Sequence, residues 1–307
     1  MSDVNLAVGL GGYFKLVATN VTTGKVRELT GWFKNLITDA GLERIGATAG
    51  TREYCMVGSG SIAPSVADTT LQTKVAHSST KQSDTNGRTS VSPYYAWNRV
   101  TYRFATGVAA GNLAEVGVGW TTTAVFSRSL IKDGNGNPTT VTVLSDETLD
   151  VLYELRAYAP ETDTTFQLVI GGVTHDCVLR ACAVTSNIHW ASLPNDLAFN
   201  LNTAPAQYGY CRAWNGSLGG ITTEPGGTSS DATSLIQNVY SNNSRKRTGT
   251  LNFGLNAGNL AGGITAITFG GYAAYLGTFK VSFSPAINKL NTQTLALNVE
   301  MSWARAA

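Results

Sequence analysis

The sequence is short of charge. Of its 307 residues, 22 are Lys or Arg and 20 are Asp or Glu. That is 14% charged, against about a quarter in an ordinary soluble domain. The formal net charge is +2, which excludes the strongly basic footprint that holds nucleic acid or an anionic membrane surface. Proline (8) and histidine (3) are also scarce. Four cysteines, Cys55, Cys177, Cys182 and Cys211, are too few in so long a chain for a disulfide scaffold. Reduced thiols and folding in a cytoplasm are expected. No run approaches the roughly 18 apolar residues that a membrane-spanning helix needs. Met1-Ser2-Asp3-Val4-Asn5 carries neither a basic region nor a long apolar stretch, so no signal peptide is expected.

What is present is core material and the means of turning. Hydrophobic residues make up 43% of the chain, enough for two cores, and glycine is abundant at 33. With few charges, Thr, Ser, Asn and Gln must solvate the surface. With few prolines, turns rest on residues that accept positive φ.

The chain also repeats itself. Phe14, Leu16, Val17, Val21, Thr22 and Val26 return as Phe166, Leu168, Val169, Val173, Thr174 and Val178, at one constant offset. Tyr54-Cys55 followed by Gly60-Ser61 returns as Tyr210-Cys211 followed by Gly216-Ser217. Asp68 and Leu71 are echoed by Asp231 and Leu235, and Gly111-Asn112-Leu113-Ala114 by Gly258-Asn259-Leu260-Ala261. Leu149, Val151, Tyr153 and Leu155 reappear as Leu297, Val299, Met301 and Trp303. The matches keep their order, and the period is a whole domain rather than the short unit of a solenoid. Two copies of one fold are expected, 1–160 and 161–307, joined near Pro160-Glu161-Thr162-Asp163.

Each copy opens on β-branched and aromatic residues around a turn, Asn20 to Gly24 or Gly171-Gly172, which is a hairpin signal. Each closes on an alternating strand, with Asp150, Glu154 and Arg156 opposite the apolar face of the first. The best helix candidate is Thr38 to Ile45, with Thr38 as cap and Gly46 as terminator. The remainder reads as short strands and polar loops. The expected class is mainly β: two tandem β-sandwich or jelly-roll-like domains, each with at most a short helix.

Candidate sites fail on spacing. His175, Cys177, Cys182 and His189 are zinc-type ligands, but residues five apart on a strand point to opposite faces. Asp133, Asn135 and Asn137 open a calcium-loop pattern that Pro138 and Leu144 then break, leaving a natural hairpin turn. Ser59 in Gly58-Ser59-Gly60 lacks the full nucleophile-elbow pattern, with only His77, His175 and His189 as bases. Asp146 and Glu147 are adjacent and point apart on a strand, unlike a glycosidase pair. Gly9, Gly11 and Gly12, and Gly117 and Gly119, precede no convincing helix, so no phosphate loop is indicated. Arg245-Lys246-Arg247 is a short basic run whose expected role is solvation. No catalytic, cofactor or metal residue is therefore assigned, and no cofactor is expected.

A family resemblance rests on three stretches. Asn35 to Leu42, then Val57-Gly58-Ser59-Gly60-Ser61-Ile62-Ala63-Pro64 with Asp68-Thr69-Thr70-Leu71, resemble tail, collar and fibre-associated virion proteins of tailed bacteriophages. Asn112 to Gly117 and Phe126 to Lys132 extend the likeness through most of residues 30–156, and the closing Leu297 to Trp303 strand is similar to the last strand of fibre-tip domains. In the second copy the loop from Gly226 to Leu235 keeps only the Asp and Leu. In the motif, Gly58 and Gly60 permit a tight excursion, Pro64 stiffens it, Asp68 caps the following turn and Leu71 pins the loop to the core.

The resemblance implies a non-enzymatic structural protein of the virion, assembled in the host cytoplasm. Its expected partners are other phage virion proteins and itself, as a homo-oligomer of threefold or sixfold symmetry that joins or decorates tail, collar or baseplate parts. Membrane and nucleic-acid partners are not expected. The alternative is a fibre module that binds a host-surface glycan through exposed aromatics such as Tyr94, Tyr95, Trp97 or Trp214. A depolymerase is disfavoured for want of an arranged carboxylate pair.

Overall fold

Alternation governs the chain. From Tyr95 to Phe104 every odd residue is half-buried and every even one buried, the signature of a strand with one face on a core. The computed structural model describes residues 7–47, 50–194, 199, 201, 211–270 and 277–306. Tyr210 of the Tyr-Cys repeat and the N-terminal Met1 to Asn5 lie outside them.

The first half begins with β1 (Ala7–Asn20), β2 (Val26–Glu28), β3 (Phe33–Lys34) and β4 (Leu36–Ile37). Helix α1 (Asp39–Ala47) precedes β5 (Tyr54–Gly58), β6 (Lys74–Ser78), β7 (Lys81–Arg88) and β8 (Tyr95–Phe104). Next come β9 (Gly111–Leu113), β10 (Glu115–Gly119), β11 (Ser127–Leu130), β12 (Val141–Val143) and the long β13 (Glu147–Tyr158). The second half runs through β14 (Thr164–Ile170), β15 (Val173–Ala181), β16 (Arg212–Trp214), β17 (Ser229–Asp231) and β18 (Ser234–Gln237). It ends with β19 (Lys246–Phe253), β20 (Ile264–Gly270), β21 (Thr278–Ile287) and β22 (Leu295–Arg305). The fold is mainly β, with α1 the one α-helix among the described residues.

One large sheet has the order β18-β19-β22-β1-β13-β8-β7, with β2 and β3 also on β1. A second runs β4-β11-β10-β5-β6 and a third β14-β15-β21-β20-β16-β17, while β9 and β12 form a ribbon. The pairing order repeats between the halves. In the first half β6-β5-β10-β11-β4 and β7-β8-β13 are neighbours; in the second, β17-β16-β20-β21-β15 and β18-β19-β22 are. Cys55 and Cys211, both fully buried, lie at the start of the equivalent strands: Cys55 is the second residue of β5, and Cys211 immediately precedes β16. Leu149 and Leu297 lie in the equivalent strands β13 and β22.

The expected match of Phe14 with Phe166 is different. Both lie in hairpins, but β1 pairs with the closing strand β13 in the large sheet, whereas β14 is the edge strand of the third sheet. The place beside β22 is taken instead by β1. Ala7 to Leu10 pair in parallel with Ser302 to Arg305, while Gly9 to Asn20 pair antiparallel with β13. One sheet therefore runs through both halves, and one connected core does too.

Helix α1 starts as the sequence indicates: the Thr38 side-chain oxygen accepts the N–H of Gly41 at 2.9 Å. Gly46 does not end the helix, which continues to Ala47. A Cβ at Gly46 would stand 2.5 Å from the Tyr240 ring and 2.7 Å from Trp303, so glycine lets the helix close on the second half. Trp303 stacks on Tyr240 and meets Phe199 edge-on, with ring centroids 6.1 and 5.5 Å away. Burying an aromatic of this kind contributes about 1.5–3 kcal/mol.

The basic run expected to be solvated is the clamp on this helix. Arg245 donates to the Asp39 carboxylate at 2.7 Å, and Arg247 donates to the carbonyls of Phe199 and Gly46. Lys246 pairs with Glu300 at 2.8 Å on the neighbouring strand. Two arginines thus sit at opposite ends of α1, one on the acid of its first turn and one on a carbonyl of its last.

Candidate functional site

The outer face of the large sheet collects aromatic rings and arginines. Strand register sets them in rows: Gly9, Tyr158 and Tyr95; Gly11, Arg156, Trp97 and Gly87; Tyr13, Glu154, Arg99 and Thr85. The Arg156 guanidinium lies between the rings of Tyr13 and Tyr95, 4.1 and 4.7 Å from their centroids. Arg99 lies between Trp32 and Trp97, at 5.0 and 5.3 Å. Glu154 joins the two stacks: one carboxylate oxygen accepts from Arg99 at 2.5 and 2.8 Å, the other from Arg156 at 2.7 Å. It is only 2% exposed, so the arginines that hold it are fixed in turn.

The Tyr13 and Tyr158 hydroxyls are 3.2 Å apart. Burial, and then the Tyr158 hydrogen bond, push the Tyr13 phenol up to about 12, so it stays protonated. Gly87 lets the Trp97 ring lie across the edge strand, since a Cβ there would come within 2.7 Å of the indole. Further along, the face becomes ionic: Arg103 grips Asp150 at 2.7 and 2.6 Å, and Lys15 meets Glu28 at 2.8 Å.

A second constellation lies beneath the loop from Ser59 to Thr73. Glu115, on β10 and fully buried, accepts the backbone N–H groups of Gly60, Gln72 and Thr73 at 3.2, 3.1 and 2.7 Å. Arg128, on β11, reaches Glu115 at 3.1 Å, Asp68 at 2.9 Å and the Ile62 carbonyl at 2.9 Å. Gly58 and Gly60 are needed because a Cβ at either would strike Glu115 or the Thr73 carbonyl within 2.7 Å. Leu71 packs with Met56 and Val125, as its pinning role requires. Asp68 accepts the N–H of Ser65 at 2.7 Å, closing the turn before it rather than the one after. Ile62 and Val66 stay exposed on this braced loop.

The remaining candidates are dispersed. His175 meets the Pro285 carbonyl at 2.6 Å, and Cys177 lies two residues on along the same inward face of β15. Cys182 contacts the Thr223 carbonyl, and His189 pairs with Glu224 at 2.7 Å. Burial holds the His189 imidazole below its ordinary value although Glu224 pulls it upward. Burial pushes the Cys177 thiol up to about 11 and those of Cys182 and Cys211 to about 12. Among the described residues, no three His, Cys, Asp or Glu side chains converge as metal ligands.

Asp133 accepts the N–H groups of Asn135 and Asn137 from its own hairpin, both at 2.9 Å. Ser59 is exposed and held by its backbone to Thr73, while the His77 ring packs edge-on to Tyr54. Glu147 is buried and gripped by Arg27 at 2.8 and 2.7 Å; that bond holds its carboxyl below the ordinary range. Asp146 turns to Asn20 at 2.6 Å. Gly117 and Gly119 admit close strand packing in β10.

Of the four aromatics expected at a binding surface, Tyr95 and Trp97 lie on the arginine face. Tyr94 packs against the core, and Trp214 is buried with its indole N–H on Thr268 at 3.2 Å. Sequence reading missed Tyr13, Trp32, Arg99, Arg156 and Tyr158. Their signal was the alternation Tyr95-x-Trp97-x-Arg99 and Glu154-x-Arg156-x-Tyr158, which places each set on one face without showing that the strands are neighbours. No family model matches this chain, and no curated protein or solved structure was found to be similar to it.

Proposed function

We propose that the chain is a non-enzymatic structural component of a tailed-phage particle, an oligomeric tail, collar or baseplate protein that joins or decorates virion parts. On this reading it comprises two tandem β-sandwich-like copies, 1–160 and 161–307, and assembles in the host cytoplasm. The observation that supports it is the Glu115–Arg128–Asp68 network. The residues that carry the resemblance to virion proteins spend their polar groups on one another and on loop backbone. What they produce is a braced loop that presents Ile62 and Val66, a feature suited to docking other proteins. A repeated pairing order in one chain also lets three chains offer six similar positions, or six offer twelve, as a closed ring needs. Symmetry-resolved reconstruction of the assembled particle tests this: threefold or sixfold density for the chain is expected. A twofold dimer, a single copy, or absence from the particle overturns it.

A second reading is favoured by the outer face of the large sheet. Tyr95, Trp97 and the arginines stacked on them form a prearranged surface of the kind that receives a host glycan. A glycan-array screen on the purified protein separates this reading from a purely assembling one.

A further inference from the structure

The two halves expose aliphatic side chains at the same three places. Val21, just beyond β1, and its repeat Val173, just beyond β14, are 53% and 48% exposed. Val108 and Leu255, each three residues before the repeated Gly-Asn-Leu-Ala, are both 51% exposed. Leu144 and Leu290, ahead of the closing strands β13 and β22, are 49% and 52% exposed.

The backbone that carries them repeats as well. The N–H of Ala110 donates to the Gly107 carbonyl and that of Ala257 to the Gly254 carbonyl, both at 3.2 Å. Val108 and Leu255 therefore take the second place in matching turns. The N–H of Leu144 donates to the Glu147 side chain at 2.9 Å, and the Glu147 N–H returns to the Leu144 carbonyl at 3.1 Å. Leu290 and Gln293 exchange the same two bonds, at 3.1 and 3.0 Å. Other members of these turns change: Ala109 becomes Asn256, and Ser145 and Asp146 become Asn291 and Thr292. A scattered exposed aliphatic is ordinary, but three that recur from half to half in fixed turns are not.

Each set forms one patch. In the first half the Val21 N–H donates to the Asp146 carbonyl at 3.0 Å, and the Gly107 N–H to the Glu147 carbonyl at 3.1 Å. In the second, Lys289 donates to the Asn259 side chain at 2.9 Å, which ties the Leu290 turn to the Leu255 loop. Strand β15 pairs with β21 as far as Asp176 with Ser284, so the Gly171-Gly172 turn emerges beside Ile287. The patches lie at opposite ends of the large sheet. Strand β13 begins where β1 ends, whereas β22 runs parallel to β1 and begins at the other end.

We infer that the two patches bind each other between chains: the Val21, Val108 and Leu144 end of one chain packs on the Val173, Leu255 and Leu290 end of the next. The inference rests on the oligomeric reading above and gives it its contact. Head-to-tail packing covers both patches with one kind of contact, repeated at every step of a ring. A twofold contact covers only one of them. Charge permits the match. The loops 254–263 and 288–294 and the Gly171-Gly172 turn hold one charged residue, Lys289, which is 6% exposed and turned in on Asn259. At the first end the exposed Lys25 and Asp146 are one of each sign, while Glu147 is buried on Arg27. Six half-exposed aliphatics then form the apolar centre, and Thr, Ser, Asn and Gln of the same turns the polar rim. Specific association needs such a contact to reach on the order of 1,000 Å².

Native mass spectrometry of the full chain is the test. Wild type is expected to give closed trimers or hexamers. Leu144→Asp alone and Leu290→Asp alone should each weaken association by at least about thirtyfold, the loss of one hot spot, with the unfolding midpoint unchanged. Mixed together, the two variants should form a 1:1 dimer and nothing larger, because each keeps one intact end. Val108→Asp and Leu255→Asp take their place if either leucine variant fails to fold. A Leu290→Asp chain that still pairs with itself shows a twofold contact and overturns the inference. Wild type that stays monomeric at every concentration that keeps it soluble overturns it too. Rings that both variants leave intact overturn this contact while the oligomeric reading stands. Rings that need both patches, from a chain absent from the particle, overturn the virion reading alone.

Discussion

The indole N–H of Trp303 donates to the carbonyl of Leu42 at 2.8 Å, tying the last strand of the second half to the helix of the first. Trp303 is 2% exposed and Leu42 is fully buried, so the bond is sheltered from water. Trp303→Phe keeps most of the ring and loses the bond, and is expected to cost about 1 kcal/mol or somewhat more. Trp303→Ala also leaves a cavity, at about 3–5 kcal/mol. Urea unfolding should rank wild type above Phe and Phe above Ala; a phenylalanine variant as stable as wild type removes the hydrogen bond from the account.

Glu115→Gln leaves the buried Arg128 facing an uncharged amide. Breaking a buried ion pair from one side costs about 3–5 kcal/mol, and the lower end applies because Asp68 still holds Arg128. Hydrogen exchange should quicken at Gly60, Gln72 and Thr73, the amides that Glu115 accepts, and not at the distant pairs of β19 with β22. Uniform acceleration would mean that Glu115 supports the whole fold rather than this loop.

Asp39 gives the junction a pH dependence. The hydrogen bond from Arg305, and then that from Arg245, hold its carboxyl below the ordinary range. A carboxylate with a lowered folded value contributes fully above its unfolded value, about 3.9, and that contribution is lost as pH falls through the lowered one. The difference in melting temperature between wild type and Asp39→Asn should therefore be largest near neutrality and shrink below about pH 4. A difference that grows on acidification contradicts the assignment.

All four thiols should be silent in the native protein. Each cysteine is buried and unpaired, and burial raises its thiol value, to about 11 at Cys177 and about 12 at Cys182 and Cys211. A disulfide-exchange reagent at mildly alkaline pH should label none of them until denaturant is added, and then all four. Rapid labelling of Cys182 in the folded chain would place it in an open, activated setting instead.

Much of the fold was legible because it depends on local periodicity. The alternation in Leu149 to Leu155 and in Leu297 to Trp303 marks strands with one buried face, and the Thr38 cap marks the start of a helix. The braced loop was half legible. Its glycines, Asp68 and Leu71 could be given scaffold roles, but Glu115 and Arg128, which act on them, come more than forty residues later in the chain and carry no local sign of being buried.

By itself, then, the sequence determined the strand content, the internal repeat, and the failure of each candidate ligand set to match a known spacing. Those properties follow from which side chains alternate or adjoin along one strand. Tertiary structure alone decided that β1 lies between β13 and β22, because a pairing partner is chosen by burial and register across distant segments. The same choice turned Phe14 and Phe166 to unlike sheets. It set Arg245 and Arg247 at the two ends of α1, although as a run of basic residues they read as solvated. It also assembled Tyr13, Tyr95, Trp97, Arg99 and Arg156 on one face, since neighbours across a sheet are set by hydrogen-bond register between strands that lie far apart in the chain.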